Sequence, residues 1–246
     1  MLHAMRWLAA LLFLALPLPA EAACPPPAAG TALVVDVGEG GRLTLDDGRV
    51  VVIAGLAPEA GTEDDLAALV VGEHVTLRPL TPATDRWGRL LAEVDLPDGT
   101  SVAAILIGKG LGHAAAVGRS DCLATLLAAE AGARAAALGV WRKPGYVLSA
   151  QDAAALAHRV GEHVVVAGRA ISARLFGGRV YVNFAHRRDQ GLSVVVRRRD
   201  WSRNGLATAA ALSALRGRRL RVRGHLEWHG GPLIELTGEE PVERLD

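Results

Sequence analysis

The chain has 246 residues, half of them hydrophobic, and a formal net charge of +1. Its length suits one large domain or two small ones, and a single apolar run at the very start excludes a multi-span membrane protein. The near-neutral total hides an asymmetry: between Arg159 and Arg223 stand 15 Arg against Glu162, Asp189 and Asp200, so the second half is strongly basic and suited to face an anion.

Residues 1–22 carry one early Arg6, an apolar run from Leu8 to Leu16 and the small-x-small site Ala20-Glu21-Ala22. That is the layout of a secretory leader, too short to span a bilayer comfortably. The mature chain is therefore expected to be exported, periplasmic or secreted. A lipid anchor through Cys24 would want an aliphatic residue where Glu21 stands. Only Cys24 and Cys122 follow the leader, and in an oxidising compartment an even count favours a disulfide between them.

From Ala32 the pattern predicts three short strands, Leu33 to Val37, Leu43 to Leu45 and Val50 to Ala54, separated by Gly-Glu-Gly-Gly and Asp-Asp-Gly turns. Thr62-Glu-Asp-Asp65 reads as a capping box opening a helix with Leu66, Leu69 and Val70 on one face. Two strands follow, His74 to Leu80 and Arg89 to Leu96, then a short helix from Val102 to Ile107. A long helix from Cys122 to Leu138 carries a Glu130/Arg134 pair at i, i+4. Trp141 and Lys143-Pro144-Gly145 mark a stop, and the boundary between halves is expected between about Gly145 and Glu162.

The second half repeats the scheme. Strands are expected at Val164 to Leu175, Arg179 to Phe184 and Leu192 to Arg197, then a helix from Asn204 to Leu215 with Gly217 past its end. Strands Arg219 to Trp228 and Leu233 to Leu236 complete it. Three strands, a helix and two strands in each half is the element order of an OB barrel. The expected fold is mostly β with α, an α+β chain of two tandem five-stranded OB-like barrels over residues 30–145 and 160–246, the first with two helices at its C-terminal end.

Several chemistries lack their residues. Gly108-Lys109-Gly110-Leu111-Gly112 has no strand before it and no downstream acid, so it reads as a turn between helices rather than a dinucleotide loop. No Gly-x-Ser-x-Gly elbow supports acyl transfer. His158, His163, His225 and His229 sit in no Cys/His framework and read as surface histidines, with no metal role.

Three segments, ALVVDVGEGGRLTLDDGRVVVIAGLAPEA, DRWGRLLAEVDLPDG and CLATLLAAEAGARAAALGVW, resemble the staphylococcal nuclease-like (thermonuclease) family over about residues 30 to 145. The resemblance implies an OB barrel with two appended helices and calcium-dependent phosphodiester hydrolysis. That chemistry needs two carboxylates on the metal, a Glu for the attacking water and two Arg for the phosphate. The family's Glu falls on Glu59 and its second phosphate Arg on Arg89. Its strand Arg falls on Val52, the Asp before Ala-Pro-Glu is missing because Leu56 runs directly into Ala57-Pro58-Glu59, and the Asp-Thr of its first turn falls on Gly41-Arg42. Asp36, Glu39 or Asp46 would have to supply a substitute carboxylate, and Arg49 a substitute guanidinium. Without them Glu59 and Arg89 are expected to form a structural ion pair, the remnant of a site.

In the basic half, Arg219-Leu-Arg-Val-Arg223 alternates strictly, placing three guanidinium groups on one face and Leu220 and Val222 in the core. With Arg197, Arg199 and Tyr181 close by, this predicts a basic OB surface with aromatic platforms that binds single-stranded nucleic acid or another polyanion. Arg187, Arg188, Arg198, Phe184, Trp201 and Trp228 belong to the same expected set. Two alternatives remain: an active nuclease using Glu59 and Arg89, with calcium as its cofactor where otherwise none is needed, and a module of the cell envelope that binds a protein partner.

Overall fold

The structure is a computed structural model and describes residues 28–116, 123–197, 200, 208–236 and 240–245. Residues 1–22, read above as a leader, both cysteines, Arg198, Arg199, Trp201 and Asn204, where a helix was expected to begin, lie outside the described residues. Among the described residues no helix is long and apolar enough to cross a membrane.

The first half runs β1 (Gly30–Gly38), β2 (Arg42–Leu45), β3 (Val50–Ile53), β4 (Leu56–Pro58), α1 (Glu63–Val70), β5 (His74–Pro79), β6 (Arg89–Asp95), α2 (Val102–Gly108), β7 (Gly112–Ala114) and α3 (Leu123–Ala135). Alternation drives the strands: Leu43, Leu45, Val51 and Ile53 are buried while their neighbours are partly exposed. Five strands close into a barrel in the order β1-β2-β3-β6-β5, with β3 parallel to β6 and the other pairs antiparallel. Turn glycines Gly40 and Gly41 take φ of 70° and 71°, a region where a side chain is strained.

Thr62 does precede α1, but its side chain makes no cap bond to the helix. Its hydroxyl instead donates to the Glu59 carbonyl at 2.7 Å, fixing the loop before the helix. Leu66 and Val70 of α1 are buried in the barrel core, as the pattern required.

The pattern missed one pairing. β4 and β7 form a two-stranded antiparallel sheet, so the glycine cluster at 108–112 ends in a strand instead of turning between two helices. The reason is close backbone approach: a Cβ on Gly112 would lie 2.4 Å from the Ala57 carbonyl oxygen. Gly112→Ala is accordingly expected to destabilise the protein by about 1–3 kcal/mol, because main chain cannot yield as a side-chain tip can. Urea unfolding of the variant checks this, and an unchanged midpoint would contradict it.

A 3-10 turn at Gly139–Arg142 leads to the second half: β8 (Val147–Ser149), α4 (Ala153–Ala157), β9 (His163–Arg169), β10 (Ser172–Phe176), β11 (Arg179–Asn183), β12 (Ser193–Arg197), α5 (Ala209–Ser213), β13 (Arg219–Trp228), β14 (Pro232–Leu236) and β15 (Glu243–Arg244). The strands form one sheet in the order β10-β11-β12-β14-β13-β9-β8, with β15 beside β13. The stretch expected to hold the boundary thus contains β8 and α4, and β8 runs parallel to β9 within this sheet. The parallel pairing of β12 with β14 repeats that of β3 with β6.

The single strand expected from Val164 to Leu175 is two strands. Ala170 N–H donates to Arg218 O at 2.9 Å and Ile171 N–H to Asn183 O at 2.8 Å, so the chain changes partner between neighbouring residues. Helix α5 is shorter than expected and is capped by the Thr208 side chain, which accepts from Ala211 N–H at 3.0 Å.

The halves are joined by a buried cation. Arg223 on β13 is fully buried and donates to Ala114 O at 3.0 Å and to Glu130 at 2.5 and 3.1 Å. It also pairs with Glu243, while Arg134 pairs with the other side of Glu130. Glu130 is itself fully buried and accepts from Ala114 N–H at 2.9 Å.

Candidate functional site

Glu59 leaves β4 with its N–H bonded to Leu111 O at 3.0 Å, which holds it beside β7. Arg89 opens β6 after a tight turn in which Gly88 has φ 76°. Asp85 closes that turn, accepting from Trp87 N–H at 2.9 Å and Arg89 N–H at 3.0 Å. Both Glu59 and Arg89 border one cleft of about 630 Å³, with Val52, Ala57 and Leu91 as apolar lining. On the other side the cleft meets Arg159, Glu162, His163 and His225 of the second half.

Glu59 and Arg89 do not form the expected ion pair. The Glu59 carboxylate pairs with Lys143 at 2.8 Å, and Arg89 pairs with Asp85 at 2.7 Å. Each charge finds a nearer partner on its own side of the cleft. The Arg89 hydrogen bond holds the Asp85 carboxyl below its ordinary range. Trp87 is 63% exposed, with the guanidinium groups of Arg86 and Arg89 at 3.9 and 4.5 Å from its ring centroid.

None of Asp36, Glu39 and Asp46 borders this cleft, and Arg49 is held by Asp47 at 2.7 Å. Calcium requires several oxygen ligands at fixed distances. Among the described residues no group of three or more His, Cys, Asp or Glu is placed to hold a metal ion. With Glu59 bound to Lys143 and Val52 on the wall, the residues present do not fit calcium.

Sequence reading missed a polar chain along the cleft wall. His113 on β7 is 4% exposed, its Nδ1 2.7 Å from the Tyr146 hydroxyl and its Nε2 2.8 Å from His163 Nδ1. His225 stands against His163 with ring centroids 5.2 Å apart. Burial pushes the His113 imidazole down to about 3, helped by the Arg223 and Arg159 charges. Burial does the same to His163, also to about 3, with His113, His225 and Arg223 adding to it. Tyr146 is pushed up by burial and by the Glu59 and Glu130 charges. His163 is therefore half-buried and no free surface histidine, whereas His158, His225 and His229 are exposed. No motif marked His113, because its partner lies 50 residues away.

The arginine strand is also corrected. Arg219, Arg221 and Arg223 do alternate with the buried Leu220 and Val222, but only Arg219 is exposed. Arg221 pairs with Glu243 at 3.1 Å and Arg223 is fully buried, because β15 and α3 pack over that side of β13. Arg197 pairs with Glu235, Phe184 is fully buried in the core and is no platform, and Tyr181 lies on the partly exposed side of β11, opposite Arg174 of β10. Arg174, which no motif singled out, is exposed.

No curated protein matches the chain. Residues 60–143, about a third of the chain, match the family model described as staphylococcal nuclease homologue, from the residue after Glu59 through Arg89 to Lys143. The matched span contains β5, β6 and both appended helices around the closed barrel, and over this part the chain is similar to staphylococcal nuclease homologues.

Proposed function

We propose that the chain is an exported, two-barrel thermonuclease-like protein that binds nucleic acid or another polyanion and does not hydrolyse phosphodiesters through calcium. The observation that carries this reading is the state of the Glu59 cleft. Its carboxylate is bound to Lys143, Arg89 is bound to Asp85, and Val52 and Leu91 line the wall between them. Losing even one donor that stabilises transition-state charge typically lowers a rate about 100- to 1000-fold, and here the metal ligands have no counterpart as well. The 15 arginines between Arg159 and Arg223 support the polyanion, and the leader-like residues 1–22 support export.

The shared cleft of Glu59 and Arg89 favours one competing reading, an active nuclease. Residues 23–246, incubated with labelled single-stranded DNA and RNA in calcium or in chelator, separate the two. We expect salt-sensitive binding and no cation-dependent cleavage above that of Glu59→Gln. Cleavage that needs the cation and disappears in Glu59→Gln would overturn the non-catalytic reading.

A further inference from the structure

We propose that the open cavity on β10 and β11, about 680 Å³, is the nucleic-acid site and takes the unpaired bases of a single strand. This rests on the polyanion reading above and adds where the strand lies and which kind of strand it is.

The charge of the cavity is one-sided. Arg174, Arg188, Arg216 and His186 border it, and among the described residues no carboxylate does. Elsewhere on this half several arginines have acidic partners: Arg187 pairs with Asp189, Arg197 with Glu235, and Arg221 and Arg223 with Glu243. Among the described residues Arg174 and Arg216 pair with no carboxylate, and Arg188 reaches only the His229 carbonyl, at 3.4 Å. Three unneutralised guanidinium groups around a concave surface suit a string of phosphates.

Rings stand among these charges. Phe176 is 74% exposed at the end of β10, an unfavourable place for a phenyl ring unless something covers it, and Leu175 beside it is 52% exposed. Register puts Arg174 opposite Tyr181 and Phe176 opposite Arg179, so ring and guanidinium alternate across two neighbouring strands. Bases stack on such rings while the backbone follows the charges. Between them Asn183 donates from Nδ2 to Ser172 Oγ at 3.0 Å and accepts from Ser193 Oγ at 3.0 Å. These polar groups at the base of the cavity present donors and acceptors to base edges.

A duplex offers no unpaired base faces to Phe176 and Tyr181, and heparin or polyphosphate offers charge without bases. The expected ligand is therefore single-stranded DNA or RNA. The test titrates residues 23–246 with a fluorescent oligothymidylate, the same oligonucleotide in RNA form, a DNA duplex and polyphosphate, over a series of salt concentrations. Phe176→Ala is expected to weaken single-strand binding about 5- to 100-fold and to leave polyphosphate binding unchanged. The double variant Arg174→Ser with Arg216→Ser is expected to reduce the slope of log K against log salt by about 1.4. Arg219→Ser on β13, outside this cavity, serves as the comparison.

Three results would count against the proposal. Wild-type protein that binds no polyanion at any salt overturns the polyanion reading and this site with it. Binding that survives Phe176→Ala and the double arginine change, or falls as much with Arg219→Ser, overturns this site alone. Polyphosphate or duplex bound as tightly as the single strand overturns the stacking of bases. Because all the substituted side chains are exposed, the variants are expected to fold, and circular dichroism checks that they do.

Discussion

Replacing Arg223 with Ala is expected to lower stability by about 3–5 kcal/mol, the range for removing one partner of a buried ion pair. The guanidinium lies between Glu130 and Glu243 and also donates to Ala114 O. Glu130 is fully buried, so without Arg223 its charge is left with Arg134 on one side and one backbone N–H on the other. Urea unfolding followed by circular dichroism measures the loss. The double variant Glu130→Leu with Arg223→Met is expected to recover most of it, since a buried pair replaced by apolar groups is often neutral. Because α3 belongs to one half and β13 to the other, the variant should also separate the unfolding of the two halves. A loss under 1 kcal/mol would mean that the buried pair contributes little.

Acid is expected to act at the same junction. His113 and His163 each sit at about 3 in the folded protein, against an ordinary 6.5. Between those values the unfolded chain binds more protons than the folded one, so stability is fully present above pH 6.5 and falls as the pH drops toward 3. For His113 alone the loss between pH 6.5 and 5 is about 2 kcal/mol, at 1.36 kcal/mol per pH unit. Geometry makes the pair more sensitive than either ring. His113 Nε2 faces His163 Nδ1 at 2.8 Å, and if both rings were charged, two N–H groups would point at each other. The Arg223 and Arg159 charges close by oppose protonation further. His113→Gln is expected to flatten the stability profile between pH 6.5 and 5, at some cost at neutral pH. A profile as steep as the wild type's would assign the acid sensitivity to the carboxylates.

The sequence determined most of the local structure and its order. Period-two patterns at 43–45, 50–53 and 219–223, and the apolar face of Leu66 and Val70, are properties of a few consecutive residues, so the strands of the barrel and α1 could be read directly. The turn at Asp85-Arg86-Trp87-Gly88-Arg89 is equally local, held by Asp85 over a span of four residues. The nuclease-like part of the chain was legible for the same reason.

Partners distant in sequence were not legible. Alternation placed Arg219, Arg221 and Arg223 on one side of a strand correctly, but which of them meets water is decided by Glu130, 93 residues from Arg223, and by Glu243 on β15. Glu59 and Arg89 looked like a pair because both carry a resemblance, yet Lys143, 84 residues from Glu59, takes the carboxylate. His113 carried no motif at all, and its character comes from burial against Tyr146 and His163. Secondary structure follows from periods of two to four residues, whereas the charge state and exposure of a side chain depend on what packs over it. In this protein only the tertiary structure decided that Arg223 joins the two halves instead of facing solvent, and that Arg174 and Arg216, without a carboxylate partner among the described residues, border the same cavity as Phe176 and Tyr181.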